Sequence, residues 1–227
     1  MVTCFDAGIK SDIRFALPNR LSRIGTRSEG AKLATSELRA RFSNRPLLLT
    51  TPGSVNWRTG GLSDAIDVTT SSDPVWVLDC DEGHALITTE IEAPRLEADF
   101  GVQALGWDVL TVPWYDAHAP LTTACSYAHV DSTHLLSDTD AFGTKVRNGL
   151  VMSRLVLGEA ERDEMRELGV LVGAALGAGI DAWRPGITTD FESAATISRA
   201  LEADGAKAVC LIVGGDDRLR SFRHPMA

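Results

Sequence analysis

The chain has 227 residues, 44% of them hydrophobic, with 22 Lys and Arg against 31 Asp and Glu for a net charge of −9 at pH 7. That hydrophobic share can fill a sizeable core and excludes a disordered chain, while the acidic balance argues against general nucleic-acid binding, which needs a basic face to displace counterions. No run of 18 apolar residues occurs, and residues 1–20 lack the continuous apolar segment of a secretory signal, so neither a membrane span nor a signal peptide is expected.

The charge is uneven. Residues 1–45 hold nine Lys or Arg and four Asp or Glu, a basic start on an acidic body that reads first as solvated surface. Cys4, Cys80, Cys125 and Cys210 lie far apart with no CxxC pair, which argues against a zinc knuckle or a disulfide framework and points to a reducing cytoplasm. Cys80 and Cys210 sit in apolar runs and are expected to be small core residues.

Residues 1–25 show no clear period and are expected to form a loose arm. Thr26 and Glu29 have capping-box spacing, so a helix is expected from Thr26 to about Phe42, with Leu33, Leu38 and Phe42 inward and Arg45-Pro46 as its stop. Residues 46–51 (PLLLTT) have the length of a buried strand. Pro52-Gly53-Ser54 has turn chemistry and leads into a loop at Asn56-Trp57-Arg58-Thr59-Gly60-Gly61. Residues 75–79 (VWVLD) and 85–88 (ALIT) flank Asp81-Glu82-Gly83 as a hairpin. A short helix at 90–98 and a strand at 107–113 follow; residues 115–142 have too little periodicity for any assignment.

The last third has clearer periods. Residues 158–180 read as a helix whose apolar stripe is Met165, Leu168, Val172 and Ala175. Glu159–Arg162 and Asp163–Arg166 are spaced for ion pairs on its wet face. Gly169, Gly173, Gly177 and Gly179 weaken this helix and allow a neighbour to approach closely. Thr189 and Glu192 form a second capping box, opening a helix with Phe191, Ala195, Ser198 and Leu201 on its inner face and Asp204-Gly205 at its end. Residues 208–213 (AVCLIV) read as a buried strand. Alternating strands and helices through 26–113 imply an α/β layer. A single strand after two helices has no sheet of its own, so its partners must lie in the first unit, in another chain or in further sequence; the expectation is a truncated chain.

Few motifs carry chemistry. Asp79, Cys80, Asp81, Glu82 and His84 fall within six residues, but neighbouring side chains along a hairpin point to opposite faces, so a polar turn is favoured over a metal site. His118, Cys125, His129 and His134 form a looser group without metal-ligand or nucleophile spacing. The glycines of 53–61 match no phosphate-binding loop, and there is no GxSxG elbow. His224 precedes Pro225, which favours an extended backbone there and a fixed imidazole at the rim of a sheet, a group suited to proton transfer; read without further context, a frayed histidine near the chain end is favoured.

One resemblance bears on these readings. Glu161, Glu164-Met165-Arg166, Trp183-Arg184-Pro185-Gly186-Ile187-Thr188-Thr189, Asp204-Gly205-Ala206 and Arg223-His224-Pro225 resemble the opening of the catalytic domain in the creatinase / aminopeptidase P / prolidase family of pita-bread metallohydrolases. Leu48-Leu49-Thr50, Asn56-Trp57-Arg58-Thr59-Gly60-Gly61 and Glu92…Arg95-Leu96 resemble that family's smaller domain. The resemblance implies an α/β (α+β) protein: a small creatinase-like N-terminal domain with a mixed sheet and flanking helices at 1–150, then the incomplete first part of a pita-bread catalytic domain at 151–227. It implies hydrolysis of small peptides at an Xaa-Pro bond by a cytoplasmic homodimer using two divalent metal ions, commonly manganese. All their ligands would lie beyond Ala227, so no metal is expected on this chain and the chain alone is expected to be inactive. His224 matches the family histidine that contacts substrate or shuttles a proton. Trp57 and Arg58 are weaker candidates for reaching substrate in a partner's active site. Two features depart from the family pattern: the charged run 215–223, and an ending that would expose the edge of 208–213. The alternatives are a non-catalytic or metal-free relative that binds a ligand or regulatory partner, and an unrelated α/β binding module.

Overall fold

Three consecutive leucines set the centre of the first unit. In a strand, successive side chains point to opposite faces, and Leu47, Leu48 and Leu49 (β1) are all fully buried, so the sheet must be covered on both sides. The computed structural model describes residues 17–62 and 70–224, and it divides into two compact units between Gly158 and Glu159. The first holds a six-stranded mixed sheet. β2 (Trp76–Asp79) and β3 (His84–Thr89) form the expected hairpin, followed by β4 (Asp108–Val112), β5 (Leu136–Ser137) and β6 (Thr144–Lys145). The spatial order is β4-β3-β2-β1-β5-β6. β1, β2 and β3 run antiparallel in sequence, whereas β3–β4, β1–β5 and β5–β6 are parallel.

Leu47, Leu49, Val77 and Leu86 belong to one core cluster, and Leu48, Leu78, Ala85 and Ile87 to the other. The first cluster is closed by α1 (Leu17–Ala40), α2 (Pro52–Thr59), α3 (Ala93–Phe100) and α5 (Arg147–Arg154); the second by α4 (Ala119–Tyr127). The mixed α/β class is therefore as the sequence implied.

Several local expectations change. Residues 17–25 begin α1 rather than belonging to a loose arm, and Thr26 lies inside the helix, where it has no cap to make; residues 1–16 are outside the described residues. The inward stripe of α1 is Ile24, Ala31, Thr35 and Leu38, and this phase turns Leu33 outward. Pro52-Gly53-Ser54 is the first turn of α2, since proline at the first helical position loses no internal hydrogen bond. Gly60 ends α2 at φ 73. A Cβ there would stand 2.3 Å from the Ile24 carbonyl oxygen, so the crossing of α1 and α2 requires glycine. Between 115 and 142, Asp116 Oδ1 accepts from the backbone N–H groups of His118 (2.9 Å) and Ala119 (3.2 Å) to start α4, and a 3-10 turn spans Ser132–His134. Arg45 ties this edge together: Nε donates to the His134 carbonyl (2.8 Å), and Nη2 reaches the carbonyls of Thr133 (3.0 Å) and Leu135 (3.1 Å) and the Thr144 hydroxyl (3.1 Å).

The second unit contains α6 (Glu159–Ala182), α7 (Asp190–Ala203) and α8 (Asp216–Ser221). The Thr189/Glu192 capping box is formed, and Asp163 pairs with Arg166. Its core is small: Ala175, Ile197 and Leu201, with Ala200, Ala206, Leu211 and Val213 packed against it. The inner face of α7 is therefore Ser193, Ile197 and Leu201, and Phe191 points to solvent. Of the stripe expected on α6, only Ala175 is buried; Met165, Leu168 and Val172 are exposed. Close approach explains one glycine of the four: a Cβ on Gly179 would lie 2.6 Å from Ile197 Cγ1, whereas Gly169, Gly173 and Gly177 face open space. Residues 208–213 are not a strand. Leu211 and Val213 rest on the core while Val209 and Cys210 are exposed, because the described residues of this unit hold no strand to bond with. Cys80 is buried as expected. No described helix is long and apolar enough to cross a membrane.

Candidate functional site

Parallel strands deliver their C-terminal ends to the same edge of a sheet, where α/β proteins place ligands. β1 and β5 are such a pair. After β1 the chain passes Thr50 and Thr51 into α2; after β5 it reaches Asp138, which is 4% exposed. The Asp138 carboxylate accepts from the backbone N–H groups of Thr50 (3.1 Å) and Thr51 (3.0 Å) and from both hydroxyls, at 3.3 Å and 2.6 Å. A buried charge is tolerated when its lone pairs are so fully used. Asp138 thus fixes the angle at which β1 enters α2.

Against that turn lies Arg154, in the last turn of α5. Its guanidinium carbon is 5.9 Å from the ring centroid of Trp57, and a Cβ built on Gly53 would be 3.6 Å from its Nη1. Burial lowers the Arg154 pKa, the Asp138 charge raises it, and the Arg147 charge lowers it. Arg154 is half-buried and makes no hydrogen bond or ion pair among the described residues. A guanidinium presents five donors in a planar fork that matches a carboxylate. With an indole on one side and the first turn of a helix beside it, this corner can receive a carboxylate with an apolar group. Sequence reasoning singled out Trp57 and missed Arg154, for which no local motif gives a signal.

Arg58 follows Trp57 on α2 but points the other way. It is 1% exposed, and its Nε and Nη2 donate to the two oxygens of Asp79, each at 2.7 Å. The guanidinium lies 4.7 Å from the Trp107 ring centroid. His84 Nδ1 is 2.9 Å from Asp79 Oδ1. Burial raises the Asp79 pKa, but the bonds from His84 and Arg58 outweigh it and bring it down to about 2. The geometry turns Arg58 inward, away from any approaching peptide. Asp79 and His84 converge because they are cross-strand partners at the mouth of the hairpin, a neighbourhood that counting along one strand does not reveal.

The remaining candidates stand apart from this corner. Asp81 pairs with Arg39 at 2.6 Å, so the polar residues of the hairpin are largely spent on structural contacts. His118 precedes α4, Cys125 lies on α4, His129 follows it at φ 53, and His134 closes the 3-10 turn. Burial and the nearby Asp131 raise the Cys125 pKa, which keeps the thiol protonated. His224 is an exposed residue in a bend after α8; the strand whose rim it was expected to occupy does not form. Among the described residues no three His, Cys, Asp or Glu side chains make a group that could hold a metal ion. The resemblance places every ligand of its two-metal centre beyond Ala227, and the described residues supply no group that takes their place.

A similar fold occurs in a dipeptidase, a prolidase and an X-Pro aminopeptidase. A dipeptidase, PepE, from Mycobacterium ulcerans is similar with a TM-score of 0.59 and 16% identity over 86% of this chain and 53% of that one. The prolidase of Pyrococcus horikoshii matches at TM-score 0.59 and 14% identity over 88% of this chain and 56% of its own. An X-Pro aminopeptidase from Thermotoga maritima matches at 0.59 and 16%, over 82% and 51%. The fold is similar to that of prolidases. No family model and no curated protein matches the sequence, and identities at this level carry the fold and not the chemistry. The chain spans about half the length of these solved structures.

Proposed function

We propose that this chain is the small domain and the opening of the catalytic domain of an Xaa-Pro peptidase, a metallohydrolase that cleaves small peptides beside proline. The likeness in fold to a dipeptidase, a prolidase and an X-Pro aminopeptidase over more than four-fifths of the chain carries this reading. Two features support it. The Trp57–Arg154 corner has the chemistry to hold the carboxylate and apolar ring of a proline-containing peptide. The second unit leaves Val170, Ile180, Ile187, Phe191 and Val209 each about 70% exposed or more, an apolar surface that the rest of a catalytic domain would cover. On this reading the two metal ions, the dimer and the cytoplasmic setting belong to the whole enzyme, and His224 is a hydrogen-bonding or proton-transfer group completed by strands beyond Ala227.

The test is manganese-dependent cleavage of a Gly-Pro dipeptide by two forms: the 227-residue chain, which is expected to be silent, and the product of the uninterrupted gene with the sequence after Ala227, which is expected to cleave. Turnover by the 227-residue form overturns the proposal. So does silence of the longer product on Xaa-Pro peptides with manganese, cobalt or zinc. The guanidinium of Arg154, which makes no hydrogen bond or ion pair among the described residues, favours one second reading, a non-catalytic relative that only binds such ligands; binding of Gly-Pro without cleavage by the longer product would select it.

A further inference from the structure

Arg41, from the basic N-terminal region, lines a cavity to which the corner described above contributes no residue. α1 and α5 cross closely at one point, where a Cβ on Gly149 would be 2.6 Å from Leu38 Cδ1. Beside this crossing opens a cavity of 570 Å³ whose lining includes Leu38, Arg41, Phe42, Lys145, Val146 and Arg147. A second cavity of 410 Å³ shares Leu38, Arg41, Asn148 and Gly149 and continues along α1 past Ala34, Met152 and Ser153, with Glu37 on its wall. Ligand clefts commonly have such volumes. The two lobes differ in chemistry. The first is lined by cations together with the apolar Leu38, Phe42 and Val146; the second includes Ala34 and the exposed Met152.

The cations are not neutralised from within. Lys145 is paired with Asp140, but Arg41 and Arg147 make no ion pair or side-chain hydrogen bond among the described residues. Glu37 stands one helical turn before Arg41 on α1 and makes no ion pair with it. Arg147 also lies near enough to Arg154 for its charge to lower that pKa, so like charges crowd this side of α5. In a chain with a net charge of −9, two open guanidinium groups above an apolar trough define the complementary ligand: an anionic head with an apolar body.

We propose that the α1–α5 cleft is a binding site for an amphiphilic carboxylate of medium chain length. The carboxylate is held between Arg41 and Arg147, with the Asn148 amide beside them, and the tail lies over Leu38 towards Met152. This site is separate from the Trp57–Arg154 corner and does not depend on the peptidase reading. Titration calorimetry of the 227-residue chain with octanoate tests it, alongside octanol, inorganic phosphate and octylammonium. Octanoate is expected to bind saturably, and each control, which lacks the charge, the tail or its sign, at least about tenfold more weakly. Arg41→Ala/Arg147→Ala is expected to weaken octanoate at least about tenfold while melting like the parent, because both side chains are exposed. Met152→Glu places a charge where the tail lies and is expected to weaken octanoate without affecting phosphate. Absence of saturable octanoate binding, equal affinity of the double variant, or octanol binding as tightly as octanoate overturns the proposal.

Discussion

Replacing Arg58 by alanine removes one half of a pair in which both side chains are nearly inaccessible, at 1% and 2% exposure. Asp79 would keep its contact with His84 (2.9 Å) but lose two bonds of 2.7 Å. Leaving a buried charge without its partner costs about 3–5 kcal/mol. The guanidinium 4.7 Å from the Trp107 ring adds up to about 2 kcal/mol when desolvated. The expected loss is therefore about 3–7 kcal/mol, a large part of the roughly 5–15 kcal/mol that holds a domain folded. Urea unfolding at neutral pH, followed by the summed emission of the five tryptophans, reads this loss. The same argument predicts that Arg58→Met/Asp79→Leu, which removes both charges and fills their volume, recovers most of the loss. A loss below about 1 kcal/mol for Arg58→Ala, or a double variant less stable than the single one, would refute the account of this pair as an electrostatic unit.

The pair also sets an acid response. Asp79 is held at about 2 against an ordinary 3.8, so it contributes about 2 kcal/mol that is present above pH 3.8 and is lost as the pH falls through 2. Urea midpoints measured down this range should fall more steeply for the parent than for Asp79→Asn; parallel slopes would contradict the assignment. The α6 glycines separate by their surroundings. Gly173→Ala, facing open space, should stabilise by about 1 kcal/mol, whereas Gly179→Ala, against Ile197, should cost about 1–3 kcal/mol, and thermal melts that rank them in the opposite order would overturn the packing argument. In the longer enzyme proposed above, Arg154→Ala should raise KM for Gly-Pro about tenfold with kcat changed by less than about twofold; a loss confined to kcat would remove Arg154 from substrate binding.

Where one residue's environment is set by its own segment, the sequence was enough. The 75–79 and 85–88 runs paired across Asp81-Glu82-Gly83, and the Thr189/Glu192 box opened α7. Where the outcome depends on distant neighbours, it was not. α2 was hidden because proline and glycine read as a turn until Thr51 and Asp138 are known to anchor its entry. β5 and β6 are two residues each, too short for any period to register. Residues 208–213 have the composition of a strand but lack a partner to make one. The buried face of α7 shifted from Phe191 to Ser193 because Gly179 lets Ile197 seat against α6. Among candidate site residues, Trp57 is singled out by the loop that resembles the family's, and the structure sets it beside Arg154. Arg58 was misplaced because nothing in the order of residues announces that Asp79, at the end of an apolar run, will take its charge. Arg154 emerges only when α5 is laid across α2.

Arg45 gives the border of the sheet an unusual kind of cohesion. Strands of two residues offer few backbone rungs, yet one guanidinium grips three carbonyls of the preceding turn and a hydroxyl on β6. Such a border loosens as a block when its rivet is lost: the amide protons of 133–146 should then exchange together and early, while those of β2 and β3 stay slow, so one half-buried side chain decides how much of the sheet behaves as a single solid.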